Sequence, residues 1–425
     1  MKNTKINGKL RKIITPVVIA VICAGFLTCD TSLSEPPLLG SSTDTKSWMS
    51  RLPDDWYITR IAIPGTHDSA TWQSSFADST VRCQERDFMA QLNEGIRYFD
   101  FRLGSGKIFD TGGSRTEELR FFHGPFYLGV TLEDAMRTFK TFMDAHPTET
   151  ILVQVTPETD DDNFAGKNFA QRFREQTYEH GDYRHLWYTG TGVPTLGQVR
   201  GRIVLVRNYS GSTVGIDLYS VKSRRENTTW GGMSEHSPNL HIQLQDHFDI
   251  SGHATANFDS DVAKKKDYIK DLIIYAINCK GYETISNLPH DLNLNFWSHS
   301  WALGTSPQGY AGAINRYMRD NKMFTTRVPS VQLMDFYWTE NVNDIIASNF
   351  IGPASGGFTI YTGGVTNGRP GDSVVRLGGG DDDINSQRNR STNWKLDITM
   401  SYGTAVRSDR KHQRAEQCRL FAFGF

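Results

Sequence analysis

Between about Trp48 and Gly352, short apolar runs alternate with segments of helical periodicity, and this alternation restricts the possible folds more than any other feature of the chain. Strand-like runs occur at Tyr57–Ile63, Ile96–Arg102, Leu119–His123, Thr150–Thr156, Arg202–Arg207, Leu292–Trp297 and Val331–Asp335. Helical patterns fall between them. Leu132, Ala135, Met136, Phe139, Phe142 and Met143 share one face, with Thr131 and Asp134 as a capping box and Pro147 beyond the end. A polar helix is expected around Phe164 to His180, a long one from about Asp261 to Cys279, and another from Ala311 to Arg319. In the long one, Lys264-Lys265-Lys266 reads as a solvated face. Repeated strand–helix units over roughly 300 residues favour a closed parallel barrel or an open doubly wound sheet.

The two ends differ from this core. Lys2, Lys5, Lys9, Arg11 and Lys12 precede an apolar run from Ile13 to Leu27, which is short for a membrane span and reads as a secretory signal over residues 1–29. Cys29 follows that run as the processing cysteine of a bacterial lipoprotein does, so secretion or lipid anchoring to the cell envelope is expected. Residues 30–47, rich in Ser, Thr, Pro and Asp, read as a flexible tether, and residues 48–351 as the main domain. In 352–425 the composition turns to Gly, Ser, Thr, Arg and Asp with short alternating runs such as Trp394–Met400, which suggests a small β-rich extension. Its Asp381-Asp382-Asp383 run reads as a solvated loop.

Formal net charge is -1, from 46 basic and 47 acidic side chains, so no global field favours nucleic acid or a strongly anionic membrane. Outside the signal and Cys29, the cysteines are Cys83, Cys279 and Cys418, with no C-x-x-C pair; neither a disulfide framework nor a zinc motif is expected.

Polar residues recur where the expected strands end: His67 and Asp68, Asp100 and Arg102, His123, Arg207, Asp246 and Asp335. In a parallel barrel such ends share one rim. Two histidines, supporting carboxylates and an arginine match phosphoryl transfer, with one imidazole as base and the other as acid. The guanidinium would hold the phosphate through paired hydrogen bonds. His146, His180 and His412 fit ordinary helix-end or loop contexts. Trp230, Trp297, Trp301, Tyr310 and Tyr337 suit either a pocket mouth or the core.

The segments Ile63–Ser69, Gly95–Arg102, His123–Leu128, Pro147–Leu152 and Val331–Asp335, in this order and spacing, resemble those of bacterial phosphatidylinositol-specific phospholipase C over roughly residues 51 to 350. The resemblance implies an α/β fold, a distorted TIM-type barrel, and attack of the inositol 2-hydroxyl on phosphorus to give diacylglycerol and inositol 1,2-cyclic phosphate. It implies His67 as general base supported by Asp335, His123 as general acid paired with Asp68, and Arg102 on the phosphate. Because Arg102 stands where metal-dependent relatives cluster carboxylates around calcium, no cofactor and no metal are expected.

On the head-group side the resemblance points to Asp246 for inositol hydroxyls and Phe248 as a ring beneath the sugar. Thr156 and Asn208 occupy places expected to be basic, with Arg207 one position before Asn208, so the head group is left open. The expected partner is phosphatidylinositol, or a related glycosyl-phosphatidylinositol lipid, met by peripheral contact with a membrane surface. The alternatives are a catalytically silent head-group binding module and a phosphodiesterase for another lipid.

Overall fold

The computed structural model describes residues 44–73, 81–105, 117–158, 163–164, 166–222, 227–250, 257–279, 290–299 and 306–351, and the backbone of four strands between 358 and 400. The expected signal segment, Cys29, most of the tether, Cys418, Trp301 and Asp381 lie outside the described residues, whereas Asp382 and Asp383, expected in a solvated loop, begin a β-strand because they pair with two neighbouring strands.

Among the described residues a twelve-stranded sheet dominates. Its strands are β1 (Ile63–Thr66), β2 (Tyr98–Gly104), β3 (Arg120–His123), β4 (Phe126–Thr131), β5 (Thr150–Pro157), β6 (Trp187–Tyr188), β7 (Arg202–Arg207), β8 (Ile216–Asp217), β9 (Thr228–Met233), β10 (Leu240–Asp246), β11 (His290–Phe296) and β12 (Val331–Met334). The helices are α1 (Phe88–Asn93), α2 (Leu132–Ala145), α3 (Phe169–Gln176), α4 (Leu196–Val199), α5 (Tyr219–Lys222), α6 (Phe258–Cys279), α7 (Pro307–Asp320) and α8 (Thr339–Ser348). Strand order is β8-β7-β5-β2-β1-β12-β11-β10-β9, parallel from β8 to β10, with β9 antiparallel on β10.

The sheet curls into a barrel whose two edges, β8 and β9, are not hydrogen-bonded to one another in this order. Side chains span that seam instead: Asp217 N donates to Ser237 Oγ at 2.8 Å, and Ser234 Oγ donates to Asp217 O at 2.9 Å. Both satisfy backbone groups that an open edge would otherwise leave unpaired. The barrel is therefore of the distorted TIM type.

Local chemistry explains the elements that periodicity reveals. Thr131 and Asp134 form the capping box of α2, and its six apolar positions are all buried. Ser306 caps α7, with Pro307 in its first turn. Strand β7 carries Ile203, Val204, Leu205 and Val206 at 0% exposure, as a parallel strand covered on both faces must. Phe88, Phe99, Phe101, Phe121 and Phe139 pack as one aromatic cluster beneath β2.

Several boundaries differ from expectation. The Tyr57–Ile63 run is not one strand: Ile58–Arg60 form a single 3-10 turn and β1 begins only at Ile63. Trp297, Tyr310 and Tyr337 are core, whereas Trp230 is 39% exposed. Lys265 is fully buried, not part of a solvated face, because its ammonium donates to Gln245 Oε1 and His247 O at 3.1 and 2.8 Å behind β10. Burial pushes it down to about 7. Residues 44–47 are held at the opposite end of the barrel from His67: Arg97 donates to Lys46 O at 2.7 Å, and Thr45 Oγ1 donates to Asn93 O.

Arg97 also meets Glu149 at 2.8 Å with both side chains fully buried, and Glu149 Oε2 accepts from Met49 N. Removing one charge of such a pair strands the other. Glu149→Ala should therefore cost about 3–5 kcal/mol in urea unfolding. A loss under ~1 kcal/mol would show that the pair contributes little.

Beyond the barrel, β13 (Phe358–Tyr361), β14 (Val374–Leu377), β15 (Asp382–Arg388) and β16 (Trp394–Met400) form a separate four-stranded sheet in the order β14-β13-β15-β16. No helix among the described residues is long and apolar enough to cross a membrane.

Candidate active site

The site begins at the end of β1, where close packing requires glycine. A Cβ on Gly65 would stand 2.9 Å from Tyr98 Cβ and 3.0 Å from Tyr98 O, so only glycine lets β1 pair tightly with β2. Three residues later, past the end of the strand, Asp68 adopts φ +45°, a left-handed conformation that Asp tolerates better than most residues. This turn sends adjacent side chains to different partners. It is pinned by Gln84 Nε2, which donates to both His67 O and Met334 O.

His67 Nδ1 lies 2.8 Å from Asp335 Oδ1, and its Nε2 lies 2.7 Å from Arg102 Nη2. Arginine can only donate, so Nε2 is the acceptor and the ring proton sits on Nδ1, facing the carboxylate. Burial, the largest effect, and Arg102 lower the basicity of His67, but Asp335 and Asp68 together outweigh them and the imidazole titrates above its ordinary value. Asn315 Nδ2 donates to Asp335 O and Phe336 O, holding the end of β12 in place.

Asp68, 2% exposed, lies between the two histidines, with its Oδ2 3.8 Å from His67 Nε2. Its Oδ1 is 3.3 Å from Arg102 Nε, and its Oδ2 is 3.5 Å from His123 Nδ1. Burial alone would raise its pKa, yet Arg102 and then His123 hold it below the usual carboxylate range. His123 does not end a barrel strand. It sits at the tip of the antiparallel β3–β4 hairpin attached to β2, and its Nδ1 donates to Val81 O at 2.7 Å.

Two further carboxylates frame Arg102: Asp100, one of the strand-end residues named above, and Glu158, which no sequence pattern marks. Asp100 Oδ2 lies 3.3 Å from its Nε, while Asp100 Oδ1 accepts from Gln154 Nε2. Glu158 Oε1 lies 3.8 Å from Nη1 and accepts from Gly124 N at 2.7 Å, tying the His123 turn to the guanidinium. Burial raises the Glu158 carboxyl above its ordinary value. Asp100 alternates with Arg102 along β2 and was visible in the sequence; Glu158 follows β5 without a motif.

The expected head-group residues separate. Asp246, at the end of β10, is 2.9 Å from Lys222 Nζ, and although burial opposes ionisation, Lys222 keeps its pKa low. Lys222 also stands 4.7 Å over the Phe296 ring, which meets His67 edge-on with centroids 6.0 Å apart. Lys222 thus links Asp246 to the histidine cluster, and no sequence pattern marked it. Phe248 is half-buried in the loop after β10. Arg207 is committed elsewhere: it is 2% exposed, paired with Asp217 at 2.9 Å and donating to Tyr209 O. Asn208 Nδ2 donates to Thr156 Oγ1 at 3.1 Å, so the two positions expected to be basic satisfy each other.

Residues 63–209 match the family described as phosphatidylinositol-specific phospholipase C, X domain; His67, Asp68, Arg102 and His123 fall inside that span, Asp246 and Asp335 beyond it. A 1-phosphatidylinositol phosphodiesterase of Staphylococcus aureus is 30% identical over 225 residues, 51% of this chain and 70% of the relative. The chain belongs to the phosphatidylinositol-specific phospholipase C X-domain family. Another member, a 1-phosphatidylinositol phosphodiesterase of Listeria monocytogenes, is 26% identical over 320 residues, 73% of this chain and 86% of its own.

Solved phospholipases C of this family share the fold. The Staphylococcus aureus enzyme superposes with a TM-score of 0.61 at 24% identity, covering 72% of this chain and 98% of its own. The Listeria monocytogenes enzyme gives 0.52 at 24% identity, covering 72% and 99%. At that identity the likeness speaks for the barrel alone.

Proposed function

We propose that this member of the family is a phosphatidylinositol-specific phospholipase C that cleaves by cyclisation. The observation that carries the reading is the position of His67 Nε2, an acceptor backed by Asp335 through Nδ1 and set 2.7 Å from Arg102 Nη2. A phosphodiester held by Arg102 would bring its neighbouring inositol hydroxyl to that nitrogen.

In this reading His67 takes the proton of the 2-hydroxyl as its oxygen attacks phosphorus. Arg102 offsets charge on the non-bridging oxygens, and its own charge is kept in place by Asp68 and Asp100. His123, with Nδ1 turned to Val81 O and Asp68, presents Nε2 to the leaving diacylglycerol oxygen and gives it a proton. Asp246 and Lys222 form the polar wall, and Phe248 the apolar one, of the head-group side. The guanidinium supplies the positive charge that a metal ion would supply elsewhere, so activity should survive a chelator. Peripheral contact with a lipid surface, export by the N-terminal segment, and anchoring through Cys29 belong to the same proposal.

The test is phosphorus NMR of phosphatidylinositol turnover with His67→Ala and His123→Ala as controls. Inositol 1,2-cyclic phosphate made only by the unaltered chain supports the reading. Lipid binding without turnover would identify a silent module instead. Because Thr156 and Asn208 bond to each other and Arg207 is held by Asp217, the assay should include other head groups, glycosyl-phosphatidylinositol among them. Equal turnover of a lipid lacking an adjacent hydroxyl would exclude cyclisation.

The pH profile follows from His67. A general base works when neutral, so kcat/KM falls as pH drops through its pKa, and the raised value puts that acid limb above 6.5. Asp335→Asn removes the charge that most raises it. The limb should move to lower pH while the maximal rate falls; a limb that does not move would assign the titration to another group.

A further inference from the structure

Cys83 lies where the two halves of the site meet, and the proposed chemistry does not use it. Its sulfur is within 4.8 Å of ligand atoms of His67 and Asp335, and separately of Asp68 and His123. The backbone keeps it there: Cys83 N donates to Thr71 Oγ1 at 3.0 Å, and Cys83 O accepts from Phe336 N at 2.8 Å, one residue after Asp335. The residue is 2% exposed.

A second, independent feature points to a ligand. Asp68 Oδ2 is buried without a hydrogen-bond partner, although it faces His123 Nδ1 at 3.5 Å and His67 Nε2 at 3.8 Å. A buried carboxylate oxygen in that condition favours a cation. Either set must break one bond, His67 Nδ1 to Asp335 Oδ1 at 2.8 Å or His123 Nδ1 to Val81 O at 2.7 Å, and only the Asp68 set offers a buried carboxylate oxygen without a hydrogen bond.

We propose that Asp68, Cys83 and His123 form an inhibitory site for a zinc-type divalent ion. A set of one thiolate, one imidazole and one carboxylate suits a tetrahedral, borderline-soft ion and discriminates against calcium and magnesium, which prefer oxygen. Zinc holds sulfur at about 2.3 Å and nitrogen or oxygen at about 2.0–2.2 Å, so the donors must close by about 1 Å, within reach of side-chain rotation. On binding, the Cys83 sulfur exchanges its proton for the metal and the proton leaves to solvent, which overcomes the burial that disfavours the free thiolate. Arg102, 3.3 Å from Asp68 Oδ1, opposes the cation, so binding is reversible and regulatory rather than structural. The bound ion withdraws Asp68 and His123 from catalysis.

The inhibition rests on the proposed function; the binding does not, and two readouts separate them. The full chain is titrated with cobalt(II), followed by near-ultraviolet thiolate-to-metal absorption, and phosphatidylinositol turnover is titrated with zinc. The expected result is an absorption band that zinc displaces and that Cys83→Ser, Cys83→Ala and His123→Ala each lose. Cys83→Ala should retain turnover without metal, while its zinc inhibition constant rises at least about tenfold, as loss of a metal ligand or its support commonly costs. Calcium and magnesium should not inhibit at the same concentrations. A band that persists in folded Cys83→Ala, no band in the unaltered chain, or equal zinc inhibition of both proteins would overturn the site. Absence of turnover in the unaltered chain would overturn the enzyme reading while the cobalt band still decides the metal site.

Discussion

His67→Ala should lower kcat about 10⁴-fold with KM changed little, the upper range for loss of a positioned general base. The reason is geometric. His67 Nε2 is the acceptor beside the guanidinium, and no other imidazole approaches Arg102 as closely among the described contacts. Alanine removes the base and also leaves Asp335, 2% exposed, without its principal partner. Single-turnover measurements on phosphatidylinositol, with lipid binding measured separately, check this. A variant that retains a tenth of the rate would mean that the attacking hydroxyl is deprotonated by something else, and the assignment of His67 would fail.

Arg102→Lys should cost about 10³-fold in kcat, although charge is conserved. The guanidinium meets three carboxylates and one imidazole at once: Asp68 and Asp100 at Nε, Glu158 at Nη1, and His67 at Nη2. A lysine ammonium is a point charge and cannot keep these directions while presenting two parallel donors to a phosphate. Those carboxylates push the Arg102 pKa upward despite burial, so the group is fixed as a cation throughout the working pH range. The effect should appear in kcat more than in KM, because the interaction strengthens as charge builds on the phosphoryl oxygens. Near-normal turnover by the lysine variant would reduce Arg102 to a diffuse electrostatic role.

How far the site could be read before folding depends on the range of the interactions involved. Helix α2 was legible to the residue at its cap because a capping box and a three-to-four spacing are local. Strand β1 was misplaced at its start, since Tyr57–Arg60 carry an apolar pattern that tertiary contacts turn into a 3-10 turn. Lys265 was misread because a run of three lysines looks solvated, whereas the partners of the middle one, Gln245 and His247, are distant in sequence. Cys83, Lys222 and Glu158 carried no motif; each gains meaning only from what the barrel rim places beside it. Arg207 shows the opposite limit, as a cation well placed in the chain yet committed to Asp217 in the fold.

Fold class, the chemistry available and the motifs that resemble one family are legible in short segments, because side-chain periodicity and residue type are local properties. Tertiary structure alone decided which groups meet. Although adjacent in the chain, His67 bonds Asp335 through Nδ1 while Asp68, itself left-handed, lies closer to Arg102 and His123 than to its neighbour's ring. Parallel pairing of β1 with both β2 and β12 brings Arg102 and Asp335 to the same rim. The physical reason is that neighbours on a barrel rim are set by strand order, which the sequence encodes only through the sum of its long-range packing.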